Sequence, residues 1–165
     1  MDIHKTIELL KSNFHVYVCV DESTYVLLDA NKEHVLEKFS DYKNDFQLLI
    51  DSVNRLDSYV QELNTLAYDL VELSEKPILL KLPMAKNIHA LAMQEHQHIN
   101  IRVLKEGALK QVLQRYKLPL LLCKLEENAE DLSKDVSVSS EMQDAFEEAS
   151  YIFLAPNGRV EILKS

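Results

Sequence analysis

Residues able to do chemistry cluster in the stretch DESTYVLLDA, residues 21–30, which follows the apolar run of residues 14–20. Two carboxylates, two hydroxyls and a phenol stand side by side there, so the stretch could bind or activate a polar ligand. No histidine is positioned by the sequence to activate Ser23 or Thr24 as a nucleophile. Hydroxyl clusters at strand ends more often form turns or caps, so the stretch taken alone favours a polar strand end.

Metal and phosphate motifs are weak elsewhere in the chain. Glu95, His96 and His98 are close in sequence, but the two imidazoles share a face only in a strand, and no third ligand is evident. The acidic run of residues 126–131 is typical of a solvated face or a helix N-terminus. The chain has 2 glycines, too few for the P-loop or dinucleotide motifs. We therefore predict no metal site and no ordinary nucleotide-binding motif.

The composition indicates one globular domain covering residues 1–165. Apolar residues make up 47% and charged residues 27% of the sequence, close to the averages for folded domains. Cys19 and Cys123 each lie in an apolar run and lack the CxxC spacing of zinc or dithiol sites. We predict that both are buried, reduced thiols in neighbouring strands without a redox role.

The net charge of −9 disfavours nucleic acid as a general partner, because such binding depends on Lys and Arg neutralising phosphates. The first residues lack the basic and apolar regions of a signal peptide, and no apolar run is long enough to span a membrane. We expect a cytoplasmic protein with no membrane contact.

Strands and helices are predicted to alternate along the chain. Strands are expected where apolar and β-branched residues cluster, and helices where apolar residues recur with helical period. The strands are 14–20, 47–50, 77–83, 99–103, 119–123, 151–155 and 159–163. The helices are 3–13, 31–39 capped by Asn31, 51–73 as one helix or two with a bend, 88–93, 107–116 and 140–149 with a capping box at Ser140 and Gln143. This order predicts an α/β or α+β layered domain in which helices cover a mixed twisted sheet.

Read together, these segments resemble the YrdC/YciO-like domain, whose catalytic members are threonylcarbamoyl-adenylate synthases in tRNA modification. Residues 20–27 are similar to a family motif at the end of an early strand, with Glu22, Tyr25 and Leu27 matching and Ser23 keeping a hydroxyl. The strands containing Arg102 and residues 119–121 also resemble their family counterparts. The resemblance spans residues 14–155 and implies the family fold, here in a truncated or degenerate version.

The sequence departs from the family where the chemistry lies. The family's lysine and arginine that meet the triphosphate correspond to Asp41 and Lys43, and its serine-alanine-asparagine to residues 124–126, which include Lys124 and Glu126. A carboxylate in place of a cation replaces attraction by repulsion, worth about 4 kcal/mol per close contact at an effective dielectric of 20. The resemblance therefore implies loss of tight ATP binding, and a cleft that prefers a cation, an amine or a neutral polar ligand.

Three hypotheses follow from the resemblance. The first is a catalytically degenerate binding or regulatory module for a small molecule or a protein partner, without a cofactor. It assigns no catalytic residue, and its ligand-binding candidates are Ser23, Tyr25, Lys43, Arg102, Lys124 and Glu126. The second is an active threonylcarbamoyl-adenylate synthase using ATP and magnesium, with Lys43 and Arg102 on the phosphates and Ser23 and Tyr25 at the amino-acid end. The third is RNA binding, aided by a basic helix face of Lys105, Lys110, Arg115 and Lys117.

Overall fold

The computed structural model describes residues 1–126, 134–139 and 145–165 of the chain. Their strands form a 9-stranded mixed sheet in the order β7-β1-β2-β6-β3-β5-β4-β8-β9. The strands are β1 His15–Val20, β2 Ser23–Asp29, β3 Gln47–Ile50, β4 Ile78–Leu82, β5 Ile99–Val103, β6 Leu120–Lys124, β7 Val136–Val138, β8 Ser150–Leu154 and β9 Val160–Lys164. The helices are α1 Ile3–Asn13, α2 Glu33–Lys38, α3 Leu66–Leu73 and α4 Ala108–Tyr116, with 3₁₀ turns at Ser40–Asp45, Val53–Ser58, Ala90–Ala92 and Glu95–Gln97. The predicted fold class is confirmed.

Helices pack on both faces of this sheet. On one face, α2 and α3 cover a core that includes Leu28, Leu48 and Ile101. On the other, α1 and α4 pack over β1 and β3 around a core that includes Val18 and Leu122. Strands buried on both faces read as continuous apolar runs, which explains why β6 was predictable from its sequence.

The α1/α4 face changes character along the sheet. It is apolar over β1, β2 and β6, whereas on β5 it presents Asn100 and Arg102, which alternate with the apolar residues of the other face. Residues directly opposite in register share a face, so Leu79 of β4 and Tyr151 of β8 lie beside Arg102. The sheet therefore offers a polar floor next to its apolar core.

The stretch at residues 21–30 is a hairpin rather than the end of a strand. Asp21 adopts a left-handed φ of 54° in the turn, and β2 then runs back antiparallel to β1 as far as Asp29. The prediction assigned the polar residues 21–24 to the end of a strand, whereas only Asp21 and Glu22 form the turn and Ser23 already begins β2.

Several helix predictions are corrected. Asn31 does not cap α2 through its side chain; its N–H donates to the Asp29 carboxylate at 2.9 Å, and Lys32 occupies the cap position. Of residues 51–73, only the 3₁₀ turn capped by Ser52 and α3 are helical, because Val60 instead pairs with Ala85 in a β-bridge. Residues 88–93 contain only the 3₁₀ turn Ala90–Ala92.

Two further predictions fall partly outside the described residues. The capping box at Ser140 and Gln143 lies there entirely, while residues 145–149 of the predicted helix are not helical and include a turn and two bends. Of the acidic run at 126–131, only Glu126 is described. Strand β7 was not predicted, since its three residues are too short a run to stand out.

Both cysteines are buried free thiols, as predicted. Their strands are not neighbours, however, because β2 lies between β1 and β6. None of the helices in the described ranges combines the length and the apolar character that crossing a membrane requires.

Candidate ligand-binding cleft

A cleft opens over the polar floor of the α1/α4 face. Its first part, the Arg102 chamber, has a volume of about 410 Å³. Arg102, Leu79, Tyr151 and Lys164 form one row across four strands at its base. The chamber is further lined by Tyr25, Gln47, Lys124 and residues 145–149.

Arg102 is the most constrained charged side chain of this chamber. It is only 5% exposed, its Nε donates to Gln47 Oε1 at 2.9 Å, and its Nη1 donates to the Glu147 carbonyl oxygen at 2.7 Å. A buried guanidinium held by several acceptors keeps a fixed orientation. It therefore gives the chamber a fixed positive charge.

Tyr25 and Lys124 are directly opposite each other on β2 and β6. The Tyr25 ring packs edge-on against Phe146, with the ring centroids 4.9 Å apart. Burial raises the pKa of Tyr25 above its usual value; Arg102 opposes this rise and Asp21 adds to it. The phenol thus stays protonated at neutral pH and can donate a hydrogen bond to a ligand.

The second part of the cleft, the Asp45 chamber, has a volume of about 470 Å³. Asp41 and Asp45 come from the 3₁₀ turn before β3, and Glu126 follows β6. Four residues, Gln47, Leu79, Lys124 and Tyr151, line both chambers, which therefore adjoin. At the Arg102 end, Lys164 and Glu148 form an ion pair beside the buried guanidinium, while three carboxylates line the other end.

Asn100 lies at the base of the Asp45 chamber and is 3% exposed. Its Oδ1 accepts a hydrogen bond of 2.6 Å from the Tyr151 hydroxyl, whose pKa burial raises. The other end of this amide has no hydrogen-bond partner among the described residues. Because most buried polar groups are paired, this amide has capacity for a further partner in the chamber.

Asp45 also affects Cys123. Burial, with a further contribution from the Asp45 charge, raises the pKa of the Cys123 thiol to about 12. The Asp45 charge also raises the pKa of Tyr151, which lies on the opposite face of the sheet from Cys123. One carboxylate thus raises the pKa of a group on each face.

This shift predicts alkaline destabilisation. A thiol whose pKa is raised on folding contributes stability that is present below its ordinary pKa of 9.0 and is lost as the pH rises towards 12. At pH 10, one unit above the ordinary pKa, the free energy of unfolding should have fallen by about 1.4 kcal/mol. Urea unfolding of the wild type and of Cys123→Ala at pH 8 and pH 10 measures this loss. The free energy of unfolding should fall less between the two pH values in the variant than in the wild type. An equal decline in both proteins would contradict the assignment.

The predicted site residues divide into two groups. Tyr25, Arg102, Lys124 and Glu126 line the cleft. Ser23 instead pairs with Val20 beside the hairpin turn, and Lys43 lies in the turn Ser40–Asp45, whose other residues supply the Asp45 chamber. In the described part of the chain, neither Ser23 nor Lys43 lines a chamber.

Sequence reasoning missed several residues of the cleft, among them Gln47, Asn100 and Tyr151. The alternation of Asn100 and Arg102 with isoleucine and valine in β5 marks one polar and one apolar face, and could have identified Asn100. Gln47 and Tyr151 carried no comparable pattern, since their roles depend on which strands become neighbours.

The other candidate groups do not contribute to this cleft. No group of three or more His, Cys, Asp or Glu side chains within residues 1–126, 134–139 and 145–165 is arranged to hold a metal ion. The His96 and His98 rings pack edge-on, with their centroids 6.3 Å apart. The His98 Nδ1 lies 2.9 Å from the Glu95 carbonyl oxygen. In the basic group near α4, the Lys105 and Lys110 ammonium groups donate to backbone carbonyls at 3.2 and 3.1 Å.

Solved structures provide the comparison with known proteins. E. coli YciO is 14% identical, with a TM-score of 0.75 over 99% of this chain and 88% of its own. P. abyssi Sua5 complexed with L-threonine is 12% identical, with a TM-score of 0.69 over 92% of this chain. HypF in a phosphate- and nucleotide-bound form is 12% identical, with a TM-score of 0.69 over 98% of this chain and 28% of its own.

The chain spans half the length of the Sua5 structures. Neither a protein-family model nor a curated protein matches the sequence. These similarities establish the fold: the chain has a YrdC/YciO-like fold, as the sequence resemblance predicted.

Proposed function

We propose that this YrdC/YciO-like fold serves as a binding module, which takes up a small polar molecule in the cleft without ATP-dependent chemistry. The observation that carries the proposal is the arrangement of charge. Buried Arg102 lies with Tyr25 at one end of the cleft, where Glu148 forms an ion pair with Lys164. Lys124 lines both chambers, and Asp41, Asp45 and Glu126 lie at the other end. Such a cleft complements a ligand that has both an anionic and a cationic group.

An amino acid is the simplest ligand of this kind. Its carboxylate matches the Arg102 guanidinium, which favours planar anions, and its ammonium matches the carboxylates of the Asp45 chamber. The Sua5 structure was solved with L-threonine, which makes L-threonine the first amino acid to test.

The same charges disfavour ATP. A triphosphate lying along both chambers would meet three carboxylates in the Asp45 chamber, where Lys124 is the one cationic side chain among the lining residues described. These carboxylates are exposed, so each repulsion is weaker than the roughly 4 kcal/mol of a close pair at an effective dielectric of 20. Together they still oppose tight binding. The proposed module therefore has no need of ATP or magnesium.

Titration calorimetry and thermal shift can test this proposal. L-threonine at a hundred times its Kd should stabilise the protein by about 2.7 kcal/mol, and ATP with magnesium should produce no shift. Lys124→Met should weaken L-threonine binding at least three-fold, because the ammonium lines both chambers. Lys11→Met, an exposed lysine of α1, is the matched control and should bind normally. The proposal fails if neither L-threonine nor another small polar amino acid binds in the cleft.

The second candidate function is threonylcarbamoyl-adenylate synthesis. It is favoured by the presence of Arg102 and Lys124 in one chamber, where two cations could contact phosphates, and by a similar fold in the nucleotide-bound HypF structure. An assay for pyrophosphate release that depends on threonine, bicarbonate and ATP distinguishes the two candidates. Turnover would establish the enzyme and exclude the degenerate module.

A further inference from the structure

The sheet ends in a strand with a free edge. Strand β9, Val160–Lys164, is outermost beside β8, and all of its residues are exposed. The Ala155 N–H donates to the Arg159 carbonyl oxygen at 2.9 Å, so these residues form a hydrogen-bonded pair of the hairpin. Such pairs alternate along an antiparallel ladder, and the backbone groups of Val160 and Ile162 therefore point away from β8. This β9 edge can accept a further strand.

An apolar patch adjoins the β9 edge. Among the described residues, the exposed large apolar side chains other than Leu118 all belong to α3 or β9: Leu66, Leu73, Val160, Ile162 and Leu163. Val160 also lines, with α3, a mostly apolar groove of about 340 Å³. Ile162 lies on the same face as Val160 and is 67% exposed. Sheet edges of natural proteins are usually protected by charges, prolines or a covering segment, so an apolar edge indicates an interaction surface.

The other face of β9 carries one charge of each sign. Glu161 pairs with Phe153 and Lys164 with Tyr151, so both charges lie on the face of the sheet that bears the cleft. They share this face although they are three positions apart, because the register shifts between them. The Lys164 ammonium contacts Glu148 at 2.6 Å but stays 61% exposed. Within the described residues, Glu161 has no ion-pair partner.

We propose that two copies of this chain join at the β9 edge, with Ile162 of one copy opposite Ile162 of the other in an antiparallel pair. A two-fold axis perpendicular to the sheet keeps each residue on its own face. On the α3 face, the two Ile162 side chains then meet beside Val160. On the cleft face, Glu161 of each copy lies opposite the register shift of the other, where Lys164 provides the opposite charge. The edge is thus self-complementary, as an isologous dimer requires, and the inference does not depend on the proposed function.

Sedimentation velocity of the full chain over a range of concentrations tests this interface. The edge is short, so we expect a reversible dimer with a Kd of roughly 1 to 100 μM. Ile162→Lys should weaken dimerisation at least ten-fold, because it sets two ammonium groups against each other at the axis. Leu118→Lys, at a leucine that is 53% exposed and lies outside β9 and α3, is the matched control and should dimerise like the wild type.

An exchange of charges tests the register of the pair. Glu161→Lys and Lys164→Glu should each weaken the dimer at least three-fold, and the double variant should recover most of the affinity, since each charge again meets its opposite. A chain that stays monomeric at the highest concentration overturns the proposal and leaves the edge to a different protein. Equal dimerisation of Ile162→Lys and Leu118→Lys also overturns it, and so does a double variant that dimerises no better than the single ones.

Discussion

Asp29→Ala is expected to lower the free energy of unfolding by about 3 kcal/mol, since it leaves the buried Tyr116 hydroxyl and the Asn31 N–H without their acceptor. Asp29 is 1% exposed; its Oδ2 accepts from the Tyr116 hydroxyl at 2.6 Å and its Oδ1 from the Asn31 N–H at 2.9 Å. These bonds join the end of β2 to α4 and to the chain leading into α2. Urea denaturation at pH 7 measures the change.

The Tyr116 partner allows a double-mutant cycle. Tyr116→Phe removes one of the two bonds and should cost about 1.5 kcal/mol, and the double variant should cost less than the sum of the single changes. Asp57→Ala, at an exposed position in a 3₁₀ turn, is the control and should cost less than about 0.5 kcal/mol. Strict additivity of Asp29→Ala and Tyr116→Phe would show that the two groups do not stabilise the fold as a pair.

Arg102→Met should affect stability and ligand binding together. Methionine keeps an aliphatic side chain but leaves Gln47 Oε1 and the Glu147 carbonyl without the donors that lie 2.9 and 2.7 Å away. We expect the free energy of unfolding to fall by about 2 kcal/mol, because hydrogen bonds to charged groups are stronger than neutral ones. Binding of L-threonine should weaken at least ten-fold, since the fixed cation of the chamber is lost.

A matched arginine separates these effects from a general change in charge. Arg159 is exposed and lies over the Phe153 ring at 5.4 Å, outside the residues that line the two chambers. Arg159→Met should therefore change stability by less than about 0.5 kcal/mol and leave L-threonine binding intact. Equal losses of binding in both arginine variants would mean that the net charge of the protein, rather than the cleft, determines affinity.

The sequence by itself determined the class of the fold and most of its strands. The continuous apolar run at residues 119–123 predicts a strand buried on both faces, and β6 is such a strand. Residues 77–83 were predictable from their bracketing prolines, which neither continue a helix nor donate to a sheet. The closing hairpin was equally predictable from the turn at Pro156, Asn157 and Gly158, where Gly158 has a φ of 91°. The sequence also placed Tyr25, Arg102, Lys124 and Glu126 among the ligand-binding candidates through the family resemblance.

Only the tertiary structure decided how these residues meet. β5 lies between β3 and β4, and this strand order sets Arg102 beside Gln47 and Leu79. Among the described residues, α1 and α4 pack over β1 and β3, and these neighbours form the floor of a cleft beside them. Hydrogen-bond and charge contacts between segments far apart in the chain carry no local pattern, since each partner is an ordinary polar residue in its own segment. The pairing of Tyr151 with Asn100 and the grouping of Asp45 with Glu126 therefore emerge only when the sheet is assembled.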